Sequence, residues 1–156
     1  MSDPAAPSGD YEITTESTRF DLDVIHRYLN EQSYWAPGIP REVVERSIRH
    51  SLCFAIFESA TRAQVGFARV TTDRATFAYL ADVFVLPAHR GRGLSKRLMQ
   101  SVLAHPELQG LRRWMLATRD AHGLYAEFGF TALPQPERFM QRYDPEVYLG
   151  AQPAEN

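Results

Sequence analysis

The chain contains one cysteine, Cys53, and one lysine, Lys96, in 156 residues. A single cysteine excludes an intramolecular disulfide and fits a reducing compartment. Set in an apolar run, Cys53 reads either as a buried small hydrophobe or as a reactive thiol. No stretch approaches the roughly 18 consecutive apolar residues of a membrane-spanning helix. Met1 to Asp10 is rich in Pro, Ala, Ser and Gly but lacks the basic-then-apolar order of a secretory signal. These absences point to a soluble, cytoplasmic protein without a membrane partner. A formal net charge of −2 gives no general case for a nucleic-acid partner. The dinucleotide fingerprint G-x-G-x-x-G is missing, because Lys96 stands where its last glycine would be, and no Gly-Lys-Ser/Thr phosphate loop occurs.

At 44% hydrophobic, the chain suits one domain with a proper core. We expect a loose arm over 1–10, a single domain over 11–145 and a tail over 146–156. Tyr11 to Thr15 predicts a strand. Leu22, Ile25, His26 and Leu29 share one face of a helix over Asp21 to Asn30. A loop through Tyr34-Trp35-Ala36-Pro37-Gly38 leads to a second helix from Pro40 to about His50. Cys53 to Phe57 and Val65 to Thr71 read as a hairpin, and Phe77 to Leu86 as the next strand. A helix over Leu94 to Ala104, a strand over Arg113 to Ala117 and a helix over Ala121 to Phe128 follow. Two last strands are expected near Phe130 to Leu133 and Phe139 to Tyr143. The class is α/β (α+β), a mixed sheet flanked by helices.

The densest signal lies between the Phe77 to Leu86 strand and the helix from Leu94. Pro87 ends the strand, since it offers no ladder donor. Then comes Arg90-Gly91-Arg92-Gly93-Leu94-Ser95-Lys96-Arg97. Gly91 and Gly93 can take positive φ and let the backbone approach a ligand closely. Their amides and the positive end of the helix dipole make an anion site suited to the phosphates of a nucleotide-like ligand. Arg90, Arg92, Lys96 and Arg97 add side-chain charge, and arginine can grip phosphate oxygens as a fork. A plain strand-to-helix connection is the alternative reading of the same residues.

This segment resembles the core of the GNAT superfamily of N-acetyltransferases, whose signature [QR]-x-x-G-x-[GA] stands here as Arg90-Gly91-Arg92-Gly93-Leu94-Ser95. Ser95 replaces the final Gly or Ala. Downstream, Leu124-Tyr125-Ala126-Glu127-Phe128-Gly129-Phe130 is similar to the family's L-Y-x-x-x-G-F segment. The resemblance covers roughly residues 11 to 143. It implies a mostly antiparallel sheet, splayed between the strand before the glycine loop and the next strand. It also implies transfer of an acetyl group from acetyl-CoA to a primary amine by direct attack in a ternary complex, with no metal. A homodimer is left open.

Carried over residue by residue, Val83, Phe84 and Val85 would pair their backbone with the pantetheine arm. Arg90, Gly91, Arg92, Gly93, Leu94, Ser95 and Lys96 would hold the pyrophosphate. Tyr125 falls on the family's general acid, with a core aromatic as its alternative. The asparagine often found before that tyrosine is absent, and Asp120 or His122 stands in for it as a cofactor contact. Asp82, an acid inside an apolar strand, is the candidate general base; pairing with Arg69 or Arg119, or a water chain doing the proton transfer, is the competing account. Tyr34 and Trp35 would wall the amine site, since aromatic faces suit cations. Two rival functions remain: a non-catalytic acyl-CoA binding or sensing module on the same fold, and a nucleic-acid binder using Arg90, Arg92, Lys96, Arg97, Arg112 and Arg113.

Overall fold

The structure, a computed structural model, describes residues 10–149. The expected arm over 1–10 therefore lies outside the described residues except at Asp10, and the tail is described only through Leu149. Five strands form one sheet in chain order: β1 (Tyr11–Thr14), β2 (Leu52–Glu58), β3 (Gln64–Thr72), β4 (Phe77–Val85) and β5 (Arg113–Leu116). β1 to β4 pair antiparallel, and β5 joins β4 in parallel. The helices are α1 (Leu22–Arg27), which runs into a π-helical turn over Tyr28–Gln32, α2 (Arg41–Arg49), α3 (Leu94–Ala104) and α4 (His122–Ala126).

Both faces of the sheet are covered, which explains why β2 reads as a nearly continuous apolar run. On one face Leu52, Phe54, Val70, Ala78 and Leu80 meet Leu94, Leu98, Met99 and Val102 of α3. On the other, Cys53, Phe67 and Phe84 meet Ile25, Tyr28 and Leu29 from the first helical segment and Val44 of α2. The helix ends follow local chemistry. The Asp21 side chain accepts the Val24 N–H at 3.2 Å, and α3 begins behind Gly93, whose φ is 72°. Among the described residues no helix is long and apolar enough to cross a membrane, and no cluster of His, Cys, Asp and Glu could hold a metal.

The mixed, mostly antiparallel sheet flanked by helices is as expected. The two final strands are not found: neither Phe130 to Leu133 nor Phe139 to Tyr143 pairs, and β5 is the sheet edge. Pro134 and Pro136 lie between them, and Pro136–Arg138 forms a 3-10 turn that carries the chain away from β5. The helix expected over Ala121 to Phe128 shortens to His122–Ala126. Phe128 and Gly129 donate to the carbonyls of Tyr125 and Ala126, and Gly129, at φ 89°, closes that turn.

Two features of β4 prepare the site. β5 pairs with it only from Phe77 to Leu80, so Ala81 to Val85 leaves its neighbour. A bulge also interrupts the β3–β4 ladder, where Phe67 faces Phe84 but Arg69 faces Ala81. Simple alternation would turn Asp82 to the α3 face with Ala78 and Leu80. The bulge holds Asp82 at φ 54° and reverses the facing, so that the acid meets Arg69 on the opposite side. Aspartate is among the few non-glycine residues that tolerate that conformation.

Candidate functional site

Two cavities lie along the free half of β4. The first, about 200 Å³, sits at the glycine loop and is lined by Val85, His89, Arg90, Gly91, Gly93, Leu94, Ser95, Lys96 and Leu124. Gly91 and Gly93 have φ of 78° and 72°, and a Cβ on either would meet nothing within 4 Å. The glycines thus serve backbone conformation, while the space before the loop is open to a ligand. None of the amides from Gly91 to Lys96 donates to a carbonyl among the described residues. Leu94, Ser95 and Lys96 are the first turn of α3, where such amides have no helical acceptor. A row of free N–H groups facing open space at a helix N-terminus fits a pyrophosphate.

The arginine side chains are used differently from the expectation. Arg90 donates from Nε to the Val85 carbonyl at 2.9 Å and from Nη2 to the Tyr28 hydroxyl at 3.0 Å. Arg92 donates to the Tyr11 hydroxyl at 2.6 Å, and that hydroxyl lies 2.9 Å from His89 Nδ1. Lys96 pairs with Glu127 at 3.1 Å across an exposed surface. Arg90 and Arg92 brace the loop against β1 and the first helical segment, leaving the inner face to backbone. Of the strand residues, Phe84 buries its ring against Tyr28 at 4.0 Å, nearly parallel, so only its backbone is available to a ligand.

The second cavity, about 150 Å³, opens where β4 and β5 diverge; Tyr34, Trp35, Tyr79, Asp82, Val83, Asp120 and Tyr125 are among its walls. Both Asp82 oxygens are engaged: Oδ1 accepts from Trp35 Nε1 and Oδ2 from Arg69 Nε, each at 2.8 Å. Arg69 in turn donates to the Ser51 and Thr71 hydroxyls. The pairing is with Arg69; Arg119 instead lies over the Tyr34 ring, 4.0 Å from its centroid, while its N–H donates to the Tyr34 hydroxyl at 2.9 Å. The Tyr34-Trp35 loop therefore bridges β4 to the chain after β5. Tyr125 packs its ring in the core beside Phe130 and still reaches the cavity wall. Burial pushes its phenol from 10.0 up to about 12, with Tyr34 and Asp120 adding to the rise.

The structure brings Asp82, Tyr125, Tyr34, Trp35 and Asp120 together and puts the glycine loop at the neighbouring groove. Asp120 lines the divergence cavity and not the loop groove, and His122 lines neither. His122 instead faces a third, more apolar hollow of about 680 Å³ beyond β5, with Trp114, Leu116 and Leu133. The short Thr118 to Ala121 connection holds both on the β5 side of the glycine loop. Leu124 and His89 at the loop groove and Tyr79 in the cavity wall are among the positions sequence reading did not place in the site, while Arg69 was named there only as one of two possible partners of Asp82. Leu124 carried a signal as the neighbour of Tyr125 in the second motif. Cys53 is buried and its thiol pushed up to about 12 by burial, which makes it the inert small hydrophobe.

Residues 22–130 match the acetyltransferase (GNAT) family. A Gibberella zeae protein assigned as an acetyltransferase is 31% identical, over 76% of this chain and 77% of its own length. A crystal structure of a GNAT-family acetyltransferase homologue from Xanthomonas campestris pv. campestris is 55% identical with a TM-score of 0.85, covering 88% of this chain and 96% of that one. A GNAT acetyltransferase from Elizabethkingia anophelis, solved with acetyl-CoA bound, shares the fold at 13% identity and TM-score 0.56, over 78% of this chain and 76% of its own. The chain belongs to the GNAT acetyltransferase family.

Proposed function

We propose that the protein is an N-acetyltransferase that moves the acetyl group of acetyl-CoA to a primary amine by direct attack in a ternary complex. One observation carries the reading: the half of β4 that leaves β5 is a continuous floor between the two cavities, with Val83 in one and Val85 in the other. A long donor laid along that floor has its phosphates at the free amides of Gly91 to Lys96. Its reactive end then reaches Tyr125 and the aromatic cavity. The donor that suits this length and charge is acetyl-CoA, the ligand held by the Elizabethkingia relative of the same fold.

Acetyl-CoA supplies an activated thioester when bound, with a thiol of pKa about 8.5 as leaving group. This chain contributes position and polarity. The unpaired edge of Ala81 to Val85 offers backbone N–H groups to a developing oxyanion, and a bulge is a recurrent way to re-aim such groups. The Tyr125 hydroxyl, kept protonated by a pKa of about 12, donates its proton to the departing sulfur. Asp82 accepts from both Arg69 and Trp35, so we assign it to holding the bulge and the Trp35 loop. Water entering the cavity removes the amine proton.

Calorimetric titration with acetyl-CoA, run beside Gly93→Asp, tests the donor site. Wild-type binding at about micromolar Kd and its loss in the variant are expected, since the aspartate puts bulk and negative charge before the amides. Absence of wild-type binding overturns the acetyl-CoA assignment. Thiol release on adding amines separates the enzyme from the non-catalytic sensing module, which would bind the donor and release nothing.

A further inference from the structure

From Gln141 to Leu149 every residue is exposed except Tyr148. Local chemistry presents that one ring. Asp144 accepts the Glu146 N–H on Oδ1 at 3.0 Å and the Val147 N–H on its carbonyl at 3.4 Å. The Leu149 N–H then closes a second turn on the Glu146 carbonyl at 3.0 Å. Pro145 presets φ for the first turn, and the aspartate caps it. Tyr148 comes out of these turns facing inward, while Val147 and Leu149, both apolar, remain in solvent at 51% and 65% exposure. General hydrophobic collapse would have sheltered all of them; this geometry selects one ring.

The place it reaches is specific. Tyr148 packs against the cluster beneath α1 and α2, and its Cβ would lie 3.9 Å from a Cβ built on Gly38. Gly38 belongs to the loop that carries Tyr34 and Trp35, and its φ of 80° lets the chain turn there. Burial raises the Tyr148 phenol above its ordinary value, Asp82 adds to the rise and Arg69 partly offsets it, so the hydroxyl lies within the field of that pair. The C-terminal turn therefore folds against the loop that carries Tyr34 and Trp35.

We infer that Tyr148 is an outer wall of the acceptor pocket and selects amines borne on an apolar or aromatic body. The inference rests on the amine-acetylation reading above. Its chemical basis is the composition of the cavity and the loop that Tyr148 backs: Tyr34, Trp35 and Tyr79 offer ring surface in the wall, the Asp82 charge is neutralised by Arg69, and Asp120 lies 3.9 Å from Arg119. Arg119 is stacked on Tyr34, where its charge faces the ring. Such a pocket rewards apolar fit and a single ammonium on an aromatic face more than a polycation or a phosphate.

The test measures acetyl transfer to phenethylamine, spermidine, glucosamine 6-phosphate and a short peptide with a free N-terminus. Wild type, Tyr148→Ala and Tyr148→Phe are compared, with acetyl-CoA affinity and melting temperature recorded for each. Phenethylamine is the expected best acceptor by kcat/KM. Tyr148→Ala raises its KM about tenfold with kcat and acetyl-CoA affinity within about twofold, and Tyr148→Phe restores KM. An unchanged KM in the alanine variant, or a loss that merely follows its melting temperature, overturns the wall while leaving acetyl transfer standing. A wild-type preference for spermidine or the sugar phosphate overturns the acceptor class. Wild type that binds no acetyl-CoA, or acetylates none of the four, removes the enzymatic reading and this inference with it.

Discussion

The glycine-loop groove and the divergence cavity lie end to end on one strand, yet they are built from different material. The groove is backbone: free amides from Gly91 to Lys96, held by two glycines at positive φ, with the arginine side chains turned outward as braces. The cavity is side chain: Tyr34, Trp35, Asp82 and Tyr125, converging from three separate parts of the chain. With the groove holding the donor and the cavity the acceptor, as proposed, the backbone site takes what every donor of its class shares while the side-chain walls can vary with the acceptor.

The largest effect is expected where the two regions meet. Tyr125→Phe removes the acid and should lower kcat about a hundredfold, with acetyl-CoA affinity within about twofold. Equal turnover would return Tyr125 to core packing. The pH profile sharpens the point. Because burial raises this phenol to about 12, it stays protonated well above pH 10, and its loss of activity belongs near pH 12. A fall centred on pH 10 that vanishes in Tyr125→Phe would mean an unshifted, solvent-facing tyrosine.

On the side-chain half, Arg69→Met leaves Asp82 without its counter-ion at a largely buried position. Thermal unfolding should report a loss of about 3 kcal/mol, the cost of stranding a paired charge. A loss below about 1 kcal/mol would class the pair with surface ion pairs. Asp82→Asn keeps the shape and a hydrogen-bond acceptor, so turnover should drop only severalfold with the pH–rate midpoint unmoved. A displaced midpoint would make Asp82 the base after all.

The smallest effect tests the backbone half. Arg92→Gln should change acetyl-CoA affinity less than about threefold, since the guanidinium is committed to Tyr11. A tenfold weakening would show that the side chain leaves Tyr11 for phosphate, and the distinction between the two regions would narrow.

Legibility in the sequence follows the same division. The glycine loop, α3 and the strands up to β5 were readable because each depends on residues adjacent in the chain: apolar period, glycine conformation, proline breaks. Asp82 was visible as an anomaly, an acid in an apolar strand, but its role was not. That role depends on a one-residue bulge opposite Ala68, on Arg69 across the ladder and on Trp35 from a distant loop. The last two strands were misread for a related reason. Phe139 to Tyr143 has strand-like residues, but a strand also needs a partner, and the Pro134 to Pro136 segment steers the chain off the β5 edge.

Sequence alone determined the family, the glycine loop and the place of Tyr125 in the second motif, because those rest on short-range patterns that the backbone must obey wherever the segment folds. Tertiary structure decided which way Asp82 faces, that Arg90 and Arg92 brace the loop, that His122 lies beyond β5, and that Tyr148 comes back to Gly38. Each of those outcomes is a contact between residues far apart in the chain. Such contacts are selected by packing and charge neutralisation in the finished fold, which no local pattern encodes.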